Sequence, residues 1–226
     1  MNRGAGNEEP VDCCGPAADP RVARRFDASW ADWDDAEGFP PMVDVSARLL
    51  DLLRDASLVR PTVLEIGCGT GGVSVALLEM GARAVTGVDL SAASIDIARR
   101  RAAAVGLADH AAFEVGHGAR VREERHDWVI ADRVLCCDAH VDHMIDAVVS
   151  SARSRVALSV PESRGWRGLL NRPMWAAENV WDLFSGGCRG FVHDLRHIER
   201  RLAGGGFRPT VAEHLDLWHI GVYERA

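Results

Sequence analysis

The chain has 226 residues, 47% of them hydrophobic and 26% charged, with a formal net charge of −7. That length holds one large domain with room for a small insertion and leaves two full domains cramped, while the acidic balance and scattered arginines argue against a dedicated nucleic-acid surface. The first residues carry no apolar secretory core and no run approaches the roughly 20 apolar residues that span a bilayer, so the expected location is cytoplasmic, with the six cysteines mostly reduced.

Residues 1–20 are rich in Gly, Pro, Ala and acids and read as a flexible N-terminal arm before a single domain at 21–226. A short helix is expected over 20–33, carrying Phe26, Trp30 and Trp33. The stretch 37–41 breaks it. Apolar residues at helical spacing predict a second helix over 42–54, closed off by Pro61. A strand–helix rhythm then begins. Strands are expected at 62–66, 84–88, 111–115, 128–131 and 155–160, and helices at 73–80, 91–105 and 141–152. Ser91 suits an N-cap, and Gly81 and Gly106 suit helix ends. Nearly continuous apolar strands alternating with helices imply a parallel sheet covered on both faces. The rhythm stops at Pro161. Residues 162–190 contain Trp166, Trp175, Trp181 and Phe184 without a strand pattern, and read as a substrate-side insertion. A helix over 194–202 and a hairpin of strands at 207–215 and 217–223 end the chain.

The strongest chemical signal lies at residues 63–72, VLEIGCGTGG, after a strand and before a helix. Glycines there let the backbone turn tightly and admit a ligand without a Cβ in the way. Asp89 follows at the tip of the second strand, where a carboxylate can accept the hydroxyls of an adenosine ribose. Gly67, Gly69 and Gly72 also satisfy the dinucleotide pattern, so an NAD(P)-dependent oxidoreductase is the competing reading. Glu65 tilts the choice. A carboxylate at the end of an apolar strand needs a partner; a cationic methionine moiety supplies one, and an anionic pyrophosphate would be repelled. Little chain remains for a separate dehydrogenase substrate domain.

E-x-G-x-G-x-G followed by V-D-L-S resembles the first motif and second-strand acid of class I S-adenosylmethionine-dependent methyltransferases. The resemblance implies a Rossmann-like α/β fold: a seven-stranded, mostly parallel sheet with helices on both faces and an antiparallel C-terminal strand. It also implies S-adenosyl-L-methionine as cofactor, and methyl transfer to a small-molecule acceptor by in-line displacement. By position, Glu65, Gly67, Gly69 and Gly71 would line the methionine end, with Cys68 counted among the cofactor-site residues as a packing member of the turn; Asp89 would hold the ribose and Leu90 would pack on the adenine. The family often has an acid after the third strand; here Gly116 and His117 stand in that place. Asp132 begins the loop after strand four, which faces cofactor and substrate. The final stretch and the length are similar to magnesium-protoporphyrin O-methyltransferase-like proteins.

A hydroxyl or amine acceptor needs a base. His140 and His143 follow strand four and share a helix face, which makes them the catalytic candidates against a solvated helix start. His193 is the next candidate, and His214 and His219 read as structural. Cys13, Cys14, Cys136 and Cys137 form two adjacent pairs. They leave open a thiol-rich metal or metalloid protein, or a metalloid or thiol methyltransferase, although adjacent cysteines lack the usual zinc spacing and no metal ligand set is assigned. The tryptophans of arm and insertion fit either loop packing or an aromatic pocket for a flat acceptor.

Overall fold

The computed structural model describes residues 20–33, 38–54, 60–120, 125–185 and 189–226. Cys13, Cys14 and Cys188, and the proposed arm up to residue 19, lie outside them. Seven strands form one sheet: β1 (Thr62–Ile66), β2 (Ala84–Asp89), β3 (Ala111–Val115), β4 (His126–Asp132), β5 (Ala152–Pro161), β6 (Phe207–Leu215) and β7 (Trp218–Arg225). Their order is β3-β2-β1-β4-β5-β7-β6. The first five run parallel, and β7 is antiparallel to both β5 and β6. The expected Rossmann-like sheet is therefore present, with the order reversing outward from β1 at the β1/β4 boundary. In open α/β sheets that switch point opens a crevice beyond the strand C-termini.

The helices are α1 (Pro20–Trp30), α2 (Asp44–Arg54), α3 (Gly72–Glu79), α4 (Ala92–Ala104), α5 (Val141–Ser151), α6 (Gly165–Ser185) and α7 (Leu195–Gly204). Side chains alternate across the strands. Leu64, Val129, Val156 and Tyr223 face a core closed by α5 and α7 through Met144, Ile145, Val148, Leu195, Ile198 and Leu202. Val63, Trp128, Ile130, Ala157 and Val222 face the other way, onto Leu49, Leu50 and Leu53 of α2 and Val73 and Leu77 of α3. Both faces are thus buried, which is why the central strands read as unbroken apolar runs. Ser91 caps α4, its hydroxyl accepting from the Ser94 N–H at 3.0 Å.

The stretch 162–190 differs from its sequence reading, which assigned it no element. Most of it is the 21-residue α6, which runs through Pro173. A proline inside a helix removes one hydrogen bond and normally bends or stops it. Pro173 lies on the exposed face, where water can satisfy the carbonyl left without a donor. Asn171 anchors the helix by donating from Nδ2 to the Glu162 and Leu217 carbonyls, both at 2.8 Å. Among the described residues, no helix is long and apolar enough to cross a membrane.

Candidate functional site

A cavity of about 680 Å³ opens beyond the C-terminal ends of β1, β2 and β4. It is lined by Glu65, Gly67, Cys68, Gly69, Gly72, Asp89, Leu90, Gly116, His117, Asp132 and His140, among others. The β1 strand delivers Glu65 and the glycine turn, β2 delivers Asp89 and Leu90, and β4 delivers Asp132.

The turn is built from left-handed residues: φ is +74° at Gly67, +51° at Gly69 and +75° at Gly71. The three glycines serve different ends. A Cβ on Gly67 would lie 2.4 Å from Val134, and one on Gly71 would lie 2.8 Å from Ala98, so both positions are close packing. Gly71 is absent from the cavity wall, where Gly72 takes its place. A Cβ on Gly69 meets nothing within 4 Å. Gly69 borders the cavity, and packing does not account for a glycine there. Cys68 borders the cavity, but its sulfur packs beside Gly87 in the cluster of Val75, Ile95 and Phe113. Burial pushes its thiol well above the ordinary range.

Asp89 is oriented by the backbone. Its carboxylate accepts the Gly69 N–H and the Ser91 N–H, each at 2.9 Å. Burial raises its carboxyl above the usual value, against the pull of those two donors. Glu65 is 2% exposed and accepts from the Ser74 hydroxyl. Burial above all, with Asp132 and Asp89 nearby adding repulsion, pushes its carboxyl from 4.5 up to about 8. Asp132 is braced on both oxygens, by the Ser46 and Ser159 hydroxyls. Three carboxyls therefore converge on one crevice. Arg101, the guanidinium attracted by Glu65, donates to the Pro40 carbonyl at 2.6 Å. The arrangement suits a cation next to a sugar and disfavours a pyrophosphate. An open space at Gly69, a carboxylate aimed by two amides and a buried acid on the cavity wall fit the nucleoside that the sequence implies.

The Glu65 shift carries a stability consequence. The folded protein holds this proton more tightly than the unfolded chain. Its stabilising contribution is full below pH 4.5 and is lost as pH rises to about 8. In ligand-free protein, urea unfolding of wild type and Glu65→Gln should diverge between about pH 5 and about pH 9. The wild type should lose on the order of a few kcal/mol relative to the variant; parallel pH curves would place the ionisation elsewhere.

His117 accepts the Ala119 N–H on Nδ1 at 3.1 Å, which leaves Nε2 facing Asp138 at 3.4 Å. It stands where an adenine-side acid was expected, on the cavity wall. His140 also lines the wall, whereas His143, 6.3 Å away between ring centroids, is not among the lining residues. Burial raises the Asp138 carboxyl, but His117 and the His140 backbone more than offset this and hold it below the usual range. His193 sits behind this loop. Its Nε2–H donates to the Leu135 and Asp138 carbonyls at 3.0 and 2.9 Å, and burial lowers its pKa. It positions the loop. Cys137 reaches the wall and Cys136 is buried beneath it. A hydrogen bond from Cys136 holds the Cys137 thiol below its ordinary value. Phe26, Trp30, Met42, Arg133, Arg189 and Phe191 complete the outer, more apolar rim.

Ser46, Ser74, Ser159 and Arg101 were not found in the sequence. Arg101 left one trace, an arginine on the buried face of α4 in register with Ser94, Ile95 and Ala98.

Residues 63–157 match the methyltransferase domain family. The chain is 37% identical over 198 residues to the ubiquinone biosynthesis O-methyltransferase of Aromatoleum aromaticum, covering 80% of this chain and 79% of that protein. It is 37% identical over 91 residues to that of Nitrosococcus oceani, covering 39% of this chain and only 38% of that protein. Among solved structures it is similar to magnesium protoporphyrin IX methyltransferase from Synechocystis PCC 6803 with bound SAH. The TM-score is 0.69 at 21% identity, over 90% of this chain and 98% of that one. None of these is an oxidoreductase or a metalloid carrier.

Proposed function

The chain belongs to the class I S-adenosylmethionine-dependent methyltransferases, and from that premise we propose that it methylates a small-molecule acceptor in the crevice at the tips of β1, β2 and β4. The observation that carries this reading is the Glu65–Gly69–Asp89 constellation, in which one turn of backbone leaves room for a ligand and aims a carboxylate at it.

The bound nucleoside supplies a methyl carbon on a positively charged sulfur. The protein's part is placement. Asp89 receives the ribose hydroxyls, Glu65 offers negative charge to the methionine end, and Leu90, Gly116 and His117 border the base. Asp132, fixed by two hydroxyls, keeps the floor of the crevice rigid. The outer rim of Phe26, Trp30, Met42 and Phe191 suits an acceptor with a flat or apolar body. Much of the rate of an in-line displacement comes from holding donor and acceptor in line.

His140, exposed at the rim, is the side chain best situated to take the acceptor's proton, with His143 edge-on beside it. Replacing His140 with Ala should lower kcat about 10²–10⁴-fold while leaving S-adenosylhomocysteine affinity unchanged. Unchanged turnover in that variant would remove the histidine from the chemistry. The reading as a whole is tested by titrating folded protein with S-adenosylmethionine and, separately, with NAD(P)H. Saturable binding of the first and none of the second is expected; the reverse would restore the oxidoreductase alternative.

A further inference from the structure

We propose that Glu162, His214 and His219 form a zinc site that clasps the β6–β7 hairpin to the end of β5. The two histidines read as merely structural in the sequence. The fold brings them together with Glu162, and one donor atom of each lies within 4.8 Å of the others. None of the three lines the cavity described above.

The donors are His214 Nε2, 2.6 Å from Glu162 Oε2, and His219 Nδ1, 3.8 Å from the same oxygen. Bonds of about 2.0–2.2 Å to a tetrahedral zinc put its donors roughly 3.3 Å apart, between those two separations. His219 supplies the second, independent observation. Its side chain is wholly buried, and its Nδ1 has no hydrogen-bond partner. A buried polar atom without a partner is costly in a native structure. The other ring nitrogen, Nε2, lies 3.3 Å from the Tyr223 hydroxyl. A histidine that ligates through one nitrogen characteristically donates its other N–H to such an acceptor.

Arg164 is the nearby cation to weigh. Its backbone N–H and Nε approach Glu162 Oε1, at 2.8 and 3.2 Å, with a longer 3.4 Å approach of Nη2 to Oε2. Glu199 meets the same guanidinium at 3.1 Å. Two carboxylates thus share one guanidinium, and Glu162 Oε2 keeps net negative charge for an ion. The donor set of two imidazoles and one carboxylate oxygen is of zinc type, with a fourth position open to water. His214, the exposed member, provides the entry path. Asn171 bonds the Glu162 carbonyl, so the clasp would extend to the start of α6.

The full chain, stripped with chelator and incubated with zinc sulfate, is desalted and assayed for metal. About one zinc per chain is expected, with a raised Tm, and both effects should vanish in His214→Ala, an exposed and fold-tolerant change. Cobalt substitution should give a visible spectrum without a thiolate charge-transfer band. No zinc on the wild type, full retention by His214→Ala, or a cobalt–thiolate band pointing to the cysteines would each overturn the proposal.

Discussion

Asp89→Ala should weaken S-adenosylhomocysteine binding by about 10²–10⁴-fold. The carboxylate is aimed into the crevice by the Gly69 and Ser91 amides. Each hydrogen bond from a ribose hydroxyl to a charged acceptor contributes roughly 1.5–3 kcal/mol. Losing two therefore removes about 3–6 kcal/mol of binding. Asp89→Asn keeps the shape and one acceptor oxygen, so its loss should be intermediate. Calorimetric titration checks both, with circular dichroism to establish that the turn has survived. Near-wild-type affinity in the Ala variant would mean that the sugar lies elsewhere.

Gly69→Leu should abolish binding while the protein still folds. The position sits at φ +51° and its Cβ would meet nothing within 4 Å. The folded state therefore bears only the cost of a left-handed non-glycine residue, about 1–2 kcal/mol. The added side chain projects into the space the ligand needs, so affinity should fall by about 100-fold or more, equivalent to about 2.7 kcal/mol. Gly67→Leu should behave differently, because its Cβ would lie 2.4 Å from Val134. Overpacking there should lower the unfolding midpoint as well. A Gly69 variant that binds normally would show that the cradle is only structural.

The parts of this architecture that could be read in advance are those written in local pattern. The central strands β1 and β4 are buried on both faces, so they stood out as short apolar runs, whereas the edge strand β3 buries only Phe113 and was legible mainly from its place in the strand–helix rhythm. The glycine turn and Asp89 lie within one β1–α3–β2 unit, and their spacing announced the crevice. The ends of β5 were harder. The strand extends to Ala152 through Arg153 and Ser154, polar residues that the ladder holds and that hydropathy alone does not mark. The helix α6 was obscured by Pro173 and by Gly165 and Gly168, each a local argument against helix that the surrounding structure overrides. Residues that brace the site were the least legible. Ser46 and Ser159 meet on Asp132 from 86 and 27 positions away, and nothing in a serine's neighbours along the chain foretells such a partner. The Glu162, His214 and His219 cluster was hidden for the same reason, since only the antiparallel pairing of β7 brings its members together.

The central claim is that the crevice holds a sulfonium nucleoside by its sugar and its charged end. A crystal structure of the complex with S-adenosylhomocysteine tests it most directly. The expected result is a ribose within hydrogen-bonding reach of the Asp89 carboxylate, with the amino-acid end lying over Gly69 toward Glu65. A ligand bound elsewhere, or one whose sugar makes no contact with Asp89, would contradict it.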